Sequence, residues 1–596
     1  TVGDNPSPFP SKIAETSLVV NFGEGFLLSL CEVAHHFLFS SGKENSLVFD
    51  ETTLLNALGD KGKEKLDVAL ELGILSITDY VSYCKRKQCV SFQHKTMQEF
   101  FTALCFILSP DKLANFIFSI KDLSDVKQNE NIIVFLFGLM PQLGNRVLRK
   151  VNALYRKKME MMVLRGEEEL MILFAGIVDR HSLSDISRIY LRCKEEVIGG
   201  DILLNVSCLC LEHQYLDLHP WNPAILQMLC LMGSPSYDCV REDVRQIEDY
   251  RNFVLVDLRR FTGLTYLELC HLNCDLYLPE SGSLSALIVE KVKLSGRCCD
   301  ILGTTLTHCT KLKELRILKT DLHNCLLNLF YMTELTFLDI SGVTLSSICC
   351  YVLGRTLTRC TKLNRIRIYK ADLHSCHLNL SNMTNLTILE MSEVTLSSSC
   401  CDVLGRTLTH CTKLREIKIY QTDLHNWQLN LSHMTQLTVL DLSEVTLSSS
   451  CCDVLGSTLT HCTKLDTLSL DKTDLQNTIL DLSNISELSV LDISEVTLSS
   501  SCCDVLGSSL KICTKMKRIR INNTDLHNCQ LDLSNMKELA VLDLSEVTLS
   551  SSCCDVLCST LTFCTQLQRI RVCMIDLHNC LFDLSVLRKL TVLDLS

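Results

Sequence analysis

From about Leu264 to the last residue, the apolar positions of this chain follow one recurrent pattern. The run L-x-x-L-x-L begins at Leu264, Leu284, Leu312, Leu335, Leu363, Leu386, Leu414, Leu437, Leu465, Leu488, Met516, Leu539, Leu567 and Leu590. From Leu284 onward the steps alternate between 28 and 23 residues. Cys-Cys pairs ending at Cys299, Cys350, Cys401, Cys452, Cys503 and Cys554 mark the same 51-residue period. Such regularity is a repeat architecture, in which no unit can bury its apolar side without its neighbours.

Each run predicts its own element. The closing spacing of two in Leu437, Leu440 and Leu442 puts Leu440 and Leu442 on one face of a short strand, with Val445 and Leu447 turned inward after it. The longer unit then has room for a helix over Ser448 to Cys462. Ser449 or Ser450 is its expected cap, and Cys452, Leu455, Leu459 and Cys462 lie along its inner face. The shorter unit, with Leu414, Ile417, Ile419, Thr422 and Leu424, lacks that length. It should return through an extended or single-turn segment around Leu429 and Leu431.

These runs resemble the leucine-rich-repeat family over more than half of the chain. The resemblance implies an α/β solenoid, a horseshoe with a parallel sheet on its concave side and helices on the convex side. Many leucine-rich repeats carry an inward Asn or Cys at the turn after the strand. This chain has Val445 or Thr422 there, so packing or hydroxyl hydrogen bonds are expected to hold the turn.

Before the repeats the period becomes helical. Phe22 to Phe39 reads as a buried amphipathic helix, Leu47-Val48-Phe49 as a short extended piece before a helix start at Asp50, and Lys65 to Leu72 as a helix closed by Gly73. Tyr80 to Phe92 reads as an interrupted strand pair with a basic tip at Lys85-Arg86-Lys87. A further helix runs to about Leu108, before Pro110.

Here the run V-S-F-Q-H-K-T-M-Q-E-F-F-T-A-L, preceded by L-G-I-L, resembles the winged-helix module of NACHT-type nucleotide-binding leucine-rich-repeat receptors (NOD-like receptors). In that family the His of this run lies against the phosphates of bound ADP, a role the resemblance carries to His94. Gln98, Glu99, Phe100 and Phe101 match as well. Read from the residues alone, His94 is equally a structural side chain at a strand–helix junction, because a lone imidazole holds no nucleotide without backbone N–H groups and a Lys. Phe100, Phe101 and Leu104 read as core.

Helices are expected over Lys112 to Ile120, Ile132 to Leu139, Arg146 to Leu154, Glu168 to Val178 and Ser184 to Cys193, resembling the helical domain of the same receptors. Asp201 to Arg260 has strand-like text near Leu203 to Leu218 and a charged segment at Glu242 to Tyr250. The resulting organisation is a winged-helix domain over 1–108, a helical linker domain over 109–200, a junction or degenerate first repeats over 201–260, and leucine-rich repeats in double units over 261–596.

Composition narrows the reading. The 596 residues are 47% hydrophobic, enough for several cores, and the formal charge of -12 gives no support for a nucleic-acid or anionic-membrane partner. No apolar run is long enough to span a bilayer, and the polar start Thr1-Val2-Gly3-Asp4 is no cleavable signal. Without an initiator Met, and ending inside a strand motif at Leu593-Asp594-Leu595-Ser596, the chain reads as a fragment missing both ends. Its 35 Cys fall mostly at repeated helix positions, where a free thiol acts as a small hydrophobe. Equivalent Cys stand roughly 10 Å apart, beyond disulfide reach, and the adjacent Cys451 and Cys452 should point to different sides. Reduced thiols in the cytoplasm are the expectation. The sequons at Asn382 and Asn430 recur only because the repeat does.

No phosphate-binding loop, magnesium-positioning acidic motif, H-E-x-x-H or G-x-S-x-G occurs, so the chain is not expected to be an enzyme and holds no cofactor of its own. His410 and His425 lack partners for zinc. Gly405 and Gly456 stand isolated in helix-forming text.

The fifth position of L-x-x-L-x-L should face the concave sheet. There Asp339, Glu390, Asp441, Asp492, Asp543 and Asp594 alternate with Arg316, Arg367, Lys418, Ser469, Arg520 and Arg571. At about 4.8 Å between strands this is a ladder of exposed charge pairs, each worth roughly 0 to 1 kcal/mol. It serves either to avoid like-charge neighbours or to recognise a ligand. The row breaks at Ser469 and gains basic weight at Lys517, Arg518 and Arg520. Trp427 stands where the other units have Cys325, Cys376, Cys529 and Cys580, as either a contact hot spot or a drifted surface substitution.

The resemblance implies a fragment of an intracellular innate immune sensor. An upstream NACHT domain would bind ATP or ADP, the repeats would bind a protein or microbial ligand or hold the receptor inactive, and activation would give a homo-oligomer. The alternative is a non-enzymatic leucine-rich-repeat scaffold for protein–protein binding. A third possibility is a secreted recognition protein.

Overall fold

The computed structural model of the protein describes residues 23–39, 48–82, 85–165, 185–193, 195, 208–212, 226–232, 254–279, 282–294, 302–304, 306–322, 325–475, 478–526, 529–573 and 584–594. The chain divides into two compact units, Thr1–Leu231 and Met232–Ser596.

In the first unit, the helix Glu24–Phe39 buries Leu27, Leu30, Cys31 and Ala34, the i, i+3, i+4, i+7 face of an amphipathic helix. The strand Val48–Asp50 pairs antiparallel with Lys85–Phe92, which lies between it and Leu75–Ser82. The expected strand pair therefore starts at Leu75, five residues before Tyr80. Helices Glu51–Leu58 and Gly62–Glu71 fill the connection, and Gly73 closes the second with a φ of 66°. Phe49, Phe92, Phe101 and Leu104 share the core with Leu27 and Leu30. The helix Lys95–Leu108 supplies two of these, as expected, and Phe100 packs edge-on against Phe135.

Helices continue at Pro110–Ser119, Glu130–Leu139, Pro141–Arg165 and 185–193, the third much longer than expected. Leu123–Gln128 is an additional helix, nucleated by a capping box between Asp122 and Asp125. The helix expected over 168–178 and the charged segment 242–250 lie outside the described residues. Short strands at Cys208–Glu212 and Met228–Met232 stand in the expected junction. Among the described residues no single helix is long and apolar enough to cross a membrane. Lys95–Leu108 and Pro110–Ser119 approach that composition only as a pair bent by 119°.

The second unit is a parallel sheet whose strands follow chain order, from Tyr266–Cys270 and Ala286–Glu290 to Val592–Asp594. Each L-x-x-L-x-L start has its strand, and facing positions are in direct register, as in Lys418 opposite Asp441. Parallel β-structure and packed helices together make this a leucine-rich-repeat-like solenoid, in which each unit completes the core of the next. A second parallel sheet, Val254–Asp257, Asn273–Tyr277 and Lys293–Leu294, was not expected. It runs through the earliest units, of which only the one from Leu284 has the longer spacing.

The long units place helices at Ser347–Leu357, Ser398–Leu408, Ser449–Leu459, Ser500–Leu510 and Ser551–Leu561. Their caps are Ser346, Ser397, Ser448, Ser499 and Ser550, one residue before the expected Ser449. At Ser397 the side-chain oxygen accepts from the Cys400 N–H. Adjacent thiols do diverge, and both are buried. Cys451 Sγ donates back to the His425 carbonyl at 3.3 Å, and Cys452 Sγ donates forward to that of Asp474 at 3.4 Å. Burial pushes thiols such as Cys411 and Cys462 up to about 12, so they stay protonated and unreactive.

Two features of the repeat go beyond what residue spacing dictates. The residue before each inward Thr adopts a left-handed φ, as at Gln421, Lys472 and Asn523. Buried Thr hydroxyls then hold the turn, as the departure from Asn or Cys implied. Thr473 donates to the Leu442 carbonyl at 2.6 Å and Thr524 to that of Ile493 at 3.1 Å. The helix glycines, read as isolated, are contact points between units: a Cβ on Gly456 would lie 2.7 Å from the Ile479 carbonyl oxygen.

Candidate functional site

Strand alternation turns the second and fourth residues of Arg365–Tyr369 into the core and leaves the others on the sheet face. The face therefore carries more than the fifth-position row. Third positions alternate between Phe337, Ile388, Val439, Val490 and Val541 in long units and Glu314, Arg365, Glu416, Thr467, Arg518 and Arg569 in short ones. This second row was as legible as the first. Of this row, only the basic end at Arg518 is singled out from sequence.

Over 314–420 the face neutralises itself. Arg316 pairs with Glu314 of its own strand, and the guanidinium groups of Arg316 and Arg365 sit 4.6 and 5.4 Å from the Phe337 ring centroid on either side. Arg367 Nε donates to Glu390 Oε2 at 2.6 Å and its Nη1 lies 3.8 Å from Asp339, while Arg365 Nη2 reaches Glu390 Oε1 at 3.2 Å. Lys418 turns to Glu416 at 2.8 Å and Glu390 at 4.0 Å rather than to Asp441, whose Oδ1 accepts from the Ser443 backbone and hydroxyl.

Three carboxylates of the pairs expected to be exposed are buried instead. Asp339, Glu390 and Asp543 keep only 3%, 5% and 7% of their surface. Burial pushes the Asp339 carboxyl up to about 6, against the opposing pull of Ser341, Arg367 and Arg316. Burial would raise Glu390 too, but its bonds to Arg367 and Arg365 hold it below the usual carboxylate range. Tyr369 and Tyr420 close this stretch with hydroxyls 2.5 Å apart.

Beyond Ser469 the same pattern opens. Arg520 and Arg571 approach Asp492 and Asp543 only to 3.6 Å, with 44% and 47% of their side chains exposed. Ser494 and Ser545 bond Oδ1 of these two aspartates. Arg518 and Arg569 are exposed at the third positions flanking Val541, and among the described residues no carboxylate lies within 4.0 Å of either. A concavity of about 300 Å³ opens here, lined by the carboxylates of Asp471, Asp492, Glu495 and Asp543, the guanidinium groups of Arg520, Arg569 and Arg571, and Ser494, Asn522 and Val541. At its edge the Asp471 carboxyl is raised, first by burial and then by the nearby Asp492 charge.

Other candidates fall elsewhere. Trp427 is buried to 1% exposure, so it is neither a surface contact nor a drifted surface residue. Its position points inward, like Cys325, Cys376 and Cys529, and its Cδ1 would meet a Cβ placed on Gly405 at 2.9 Å. Among the described residues its indole Nε1 has no hydrogen-bond partner. His94 is exposed at the N-cap of Lys95–Leu108. Its carbonyl accepts from the Met97 N–H while its side chain makes no cap bond. Gln98 and Glu99 beside it are buried. The first reaches the Ala34 carbonyl at 3.5 Å, and the second accepts from Asn131 at 2.8 Å. Among the described residues no group of three or more His, Cys, Asp or Glu side chains could hold a metal ion.

No family model matches the chain, and no curated protein matches it. Similar solved structures include a leucine-rich-repeat protein of Leptospira interrogans, at 14% identity and TM-score 0.48 over 66% of this chain and 93% of that one. An internalin from Listeria monocytogenes shows 18% identity and TM-score 0.36 over 58% of this chain and 86% of that one. A TDR receptor shows 13% identity and TM-score 0.34 over 62% of this chain and 71% of that one. The fold assignment rests on strand register and burial, not on these likenesses.

Proposed function

We propose that the chain is a non-catalytic leucine-rich-repeat scaffold that binds a protein partner across the sheet face of its last units. The observation that carries this reading is the exposed pair Arg518 and Arg569, without carboxylate partners, beside a concavity on a face that is neutralised elsewhere. Guanidinium groups accept carboxylates in bidentate geometry, and arginines beside a small apolar centre such as Val541 are typical anchors of protein contacts. The interleaved Asp492 and Asp543 oppose a continuous polyanion, so a peptide with separated carboxylates fits better than a nucleic acid.

Selection from a random peptide display library tests this without choosing the ligand. Peptides retained by the chain should be enriched in Asp and Glu. They should be lost on the double change Arg518→Ala, Arg569→Ala and kept on Lys418→Ala. Selected peptides without acidic enrichment, or indifferent to the double change, would sink the proposal.

The antiparallel order of the strands Val48–Asp50, Lys85–Phe92 and Leu75–Ser82, with exposed His94 opening the next helix, supports a second and finer reading. In it the first unit is the winged helix of a NACHT-type receptor in the cytoplasm, His94 meets the phosphates of ADP held by an upstream domain, and nucleotide exchange leads to oligomers. The test is ADP retention in the chain extended upstream. Retention that is equal in the protein and in His94→Ala rejects the role for His94.

A further inference from the structure

The helix side of the repeats carries one unit unlike its copies. Ile348, Tyr351, Tyr331, Leu326 and Phe330 are 69%, 54%, 53%, 44% and 40% exposed. One period later the same positions hold Ser399, Asp402, Asn382, His377 and Ser381, and two periods later Ser450, Asp453, His433, Gln428 and Ser432. Packing within the unit does not call for the change, since the copies build the same helix and return segment with polar side chains.

Four of the five flank two arginines, Ile348 and Tyr351 on the helix that carries Arg355, and Phe330 and Tyr331 beside Arg359 just past its end. Ile348 and Tyr351 are one turn apart on the helix Ser347–Leu357. Arg355 donates to the Tyr351 hydroxyl at 3.0 Å, Arg359 lies over the Phe330 ring at 4.7 Å, and Phe330 meets Tyr331 edge-on at 5.1 Å. The change from Asp402 to Tyr351 also removes an acid. In the next unit Arg406 pairs with Asp402 at 2.7 Å. Among the described residues Arg355 and Arg359 have no carboxylate within 4.0 Å. Exposed aromatics next to guanidinium groups without acidic partners are the composition of a contact centre, and single units of a soluble chain rarely expose so much apolar surface without a use for it.

We propose that this patch docks an amphipathic segment of another protein, whose apolar side chains cover Phe330, Tyr331, Ile348 and Tyr351 and whose carboxylates meet Arg355 and Arg359. Charge decides the occupant. A second copy joined through a two-fold axis would bring the same two arginines against each other. An anionic membrane large enough to touch this helix would also meet Asp402, Asp453, Asp504 and Asp555 along the same row of helices. A protein segment needs only the one unit.

The test uses substitutions the molecule already carries. Phe330→Ser, Tyr331→Asn, Ile348→Ser and Tyr351→Asp give this unit the residues of its neighbour, so folding should be retained; Tyr351→Asp alone is the milder variant. The probe is a fluorescein-labelled amphipathic helical peptide with Leu and Phe on one face and Glu beside them, compared with the same peptide bearing Lys for Glu. By fluorescence anisotropy the Glu peptide should bind the native chain about tenfold tighter than the Lys peptide. The fourfold variant should lose about tenfold, Tyr351→Asp a smaller part, and the Arg518→Ala, Arg569→Ala chain nothing. Equal binding of the two peptides, or of native and variant chains, overturns the proposal. So does co-sedimentation with phosphatidylserine vesicles, or dimerisation in sedimentation velocity, if either vanishes in the variants.

Discussion

Two stretches of one sheet use the same alternation of acid and base to opposite ends. Over 314–420 every cation of the two rows is closely paired, as Arg365 and Arg367 are on buried Glu390. Over 467–571 Arg520 keeps its 3.6 Å approach to Asp492, much as Arg367 stands 3.8 Å from Asp339, but among the described residues it has no counterpart of the 2.6 Å Arg367–Glu390 bond, and third-position acids give way to Thr467, Arg518 and Arg569. The backbone register is the same throughout. A periodic sequence thus gives a periodic core without giving a periodic surface, and one substituted row converts an internally satisfied face into one with arginines to spare. Buried pairs add little net stability but are costly to break, whereas exposed ones are worth little either way.

The largest expected effect comes from breaking the closed stretch. Glu390→Ala leaves Arg367 and Arg365 without their common acceptor in a half-buried place. It should lower unfolding stability by about 3 kcal/mol, read from the urea midpoint with circular dichroism. A loss below about 1 kcal/mol would mean that this network is as solvated as the other, and the contrast between the stretches would disappear.

The closed stretch should also respond to pH. Burial holds the Asp339 carboxyl at about 6, above its unfolded value, so the folded chain keeps a proton that the unfolded chain releases. That stabilisation is present at pH 4 and is lost as pH rises through 6. Asp339→Asn cannot ionise. Its stability relative to the native chain should therefore rise by about 2 kcal/mol between pH 4.5 and 7, at 1.36 kcal/mol per pKa unit. A difference that falls over this range would show that Arg367 and Arg316 outweigh burial.

On the helix side the contrast is between a unit contact that every copy shares and its last member. Gly456→Ala would push a Cβ to within 2.7 Å of the Ile479 carbonyl oxygen, a backbone atom that cannot turn aside. A cost of about 2 kcal/mol is expected. Cys558 stands at the equivalent position, so Cys558→Gly should change the melting temperature far less. Equal effects would mean that the glycine contact is slack.

The strand starts and the 23/28 alternation were legible because they depend on residue type at a fixed spacing, whereas the spacing placed Thr at the turn without deciding between its packing and its hydroxyl. The cap was displaced by one residue, since Ser448, Ser449 and Ser450 offer the same hydroxyl and only backbone geometry selects the first. Trp427 was misread although the signal was present. Its equivalents were Cys, the residue type already assigned to the interior, so the indole had to be inward too. The burial of Asp339 and Glu390 was not legible. It depends on how Arg367 folds across neighbouring strands, and no period records that. The second sheet at 254–294 escaped because two of its three strands, Val254–Asp257 and Asn273–Tyr277, lie ahead of the regular alternation that starts at Leu284.

The smallest stability effect is the sharpest test of the comparison. Asp492 gives Oδ1 to Ser494 and leaves Oδ2 3.6 Å from an Arg520 that is 44% exposed. Asp492→Asn keeps the shape and the serine contact and removes one charge, so stability should move by less than about 1 kcal/mol. The face changes more than the fold does. Arg520 then joins Arg518, Arg569 and Arg571 with one acid fewer between them, and acidic peptides selected on the native chain should bind the variant more tightly. The gain should shrink as salt rises, because exposed charges at this range are screened over about 10 Å at 0.1 M. The same change on the closed stretch, Asp339→Asn at pH 7, should leave peptide affinity unaltered, since Arg367 remains occupied by Glu390. If both asparagines raise affinity alike, the ligand does not distinguish the two stretches, and the open arginines are not what it reads.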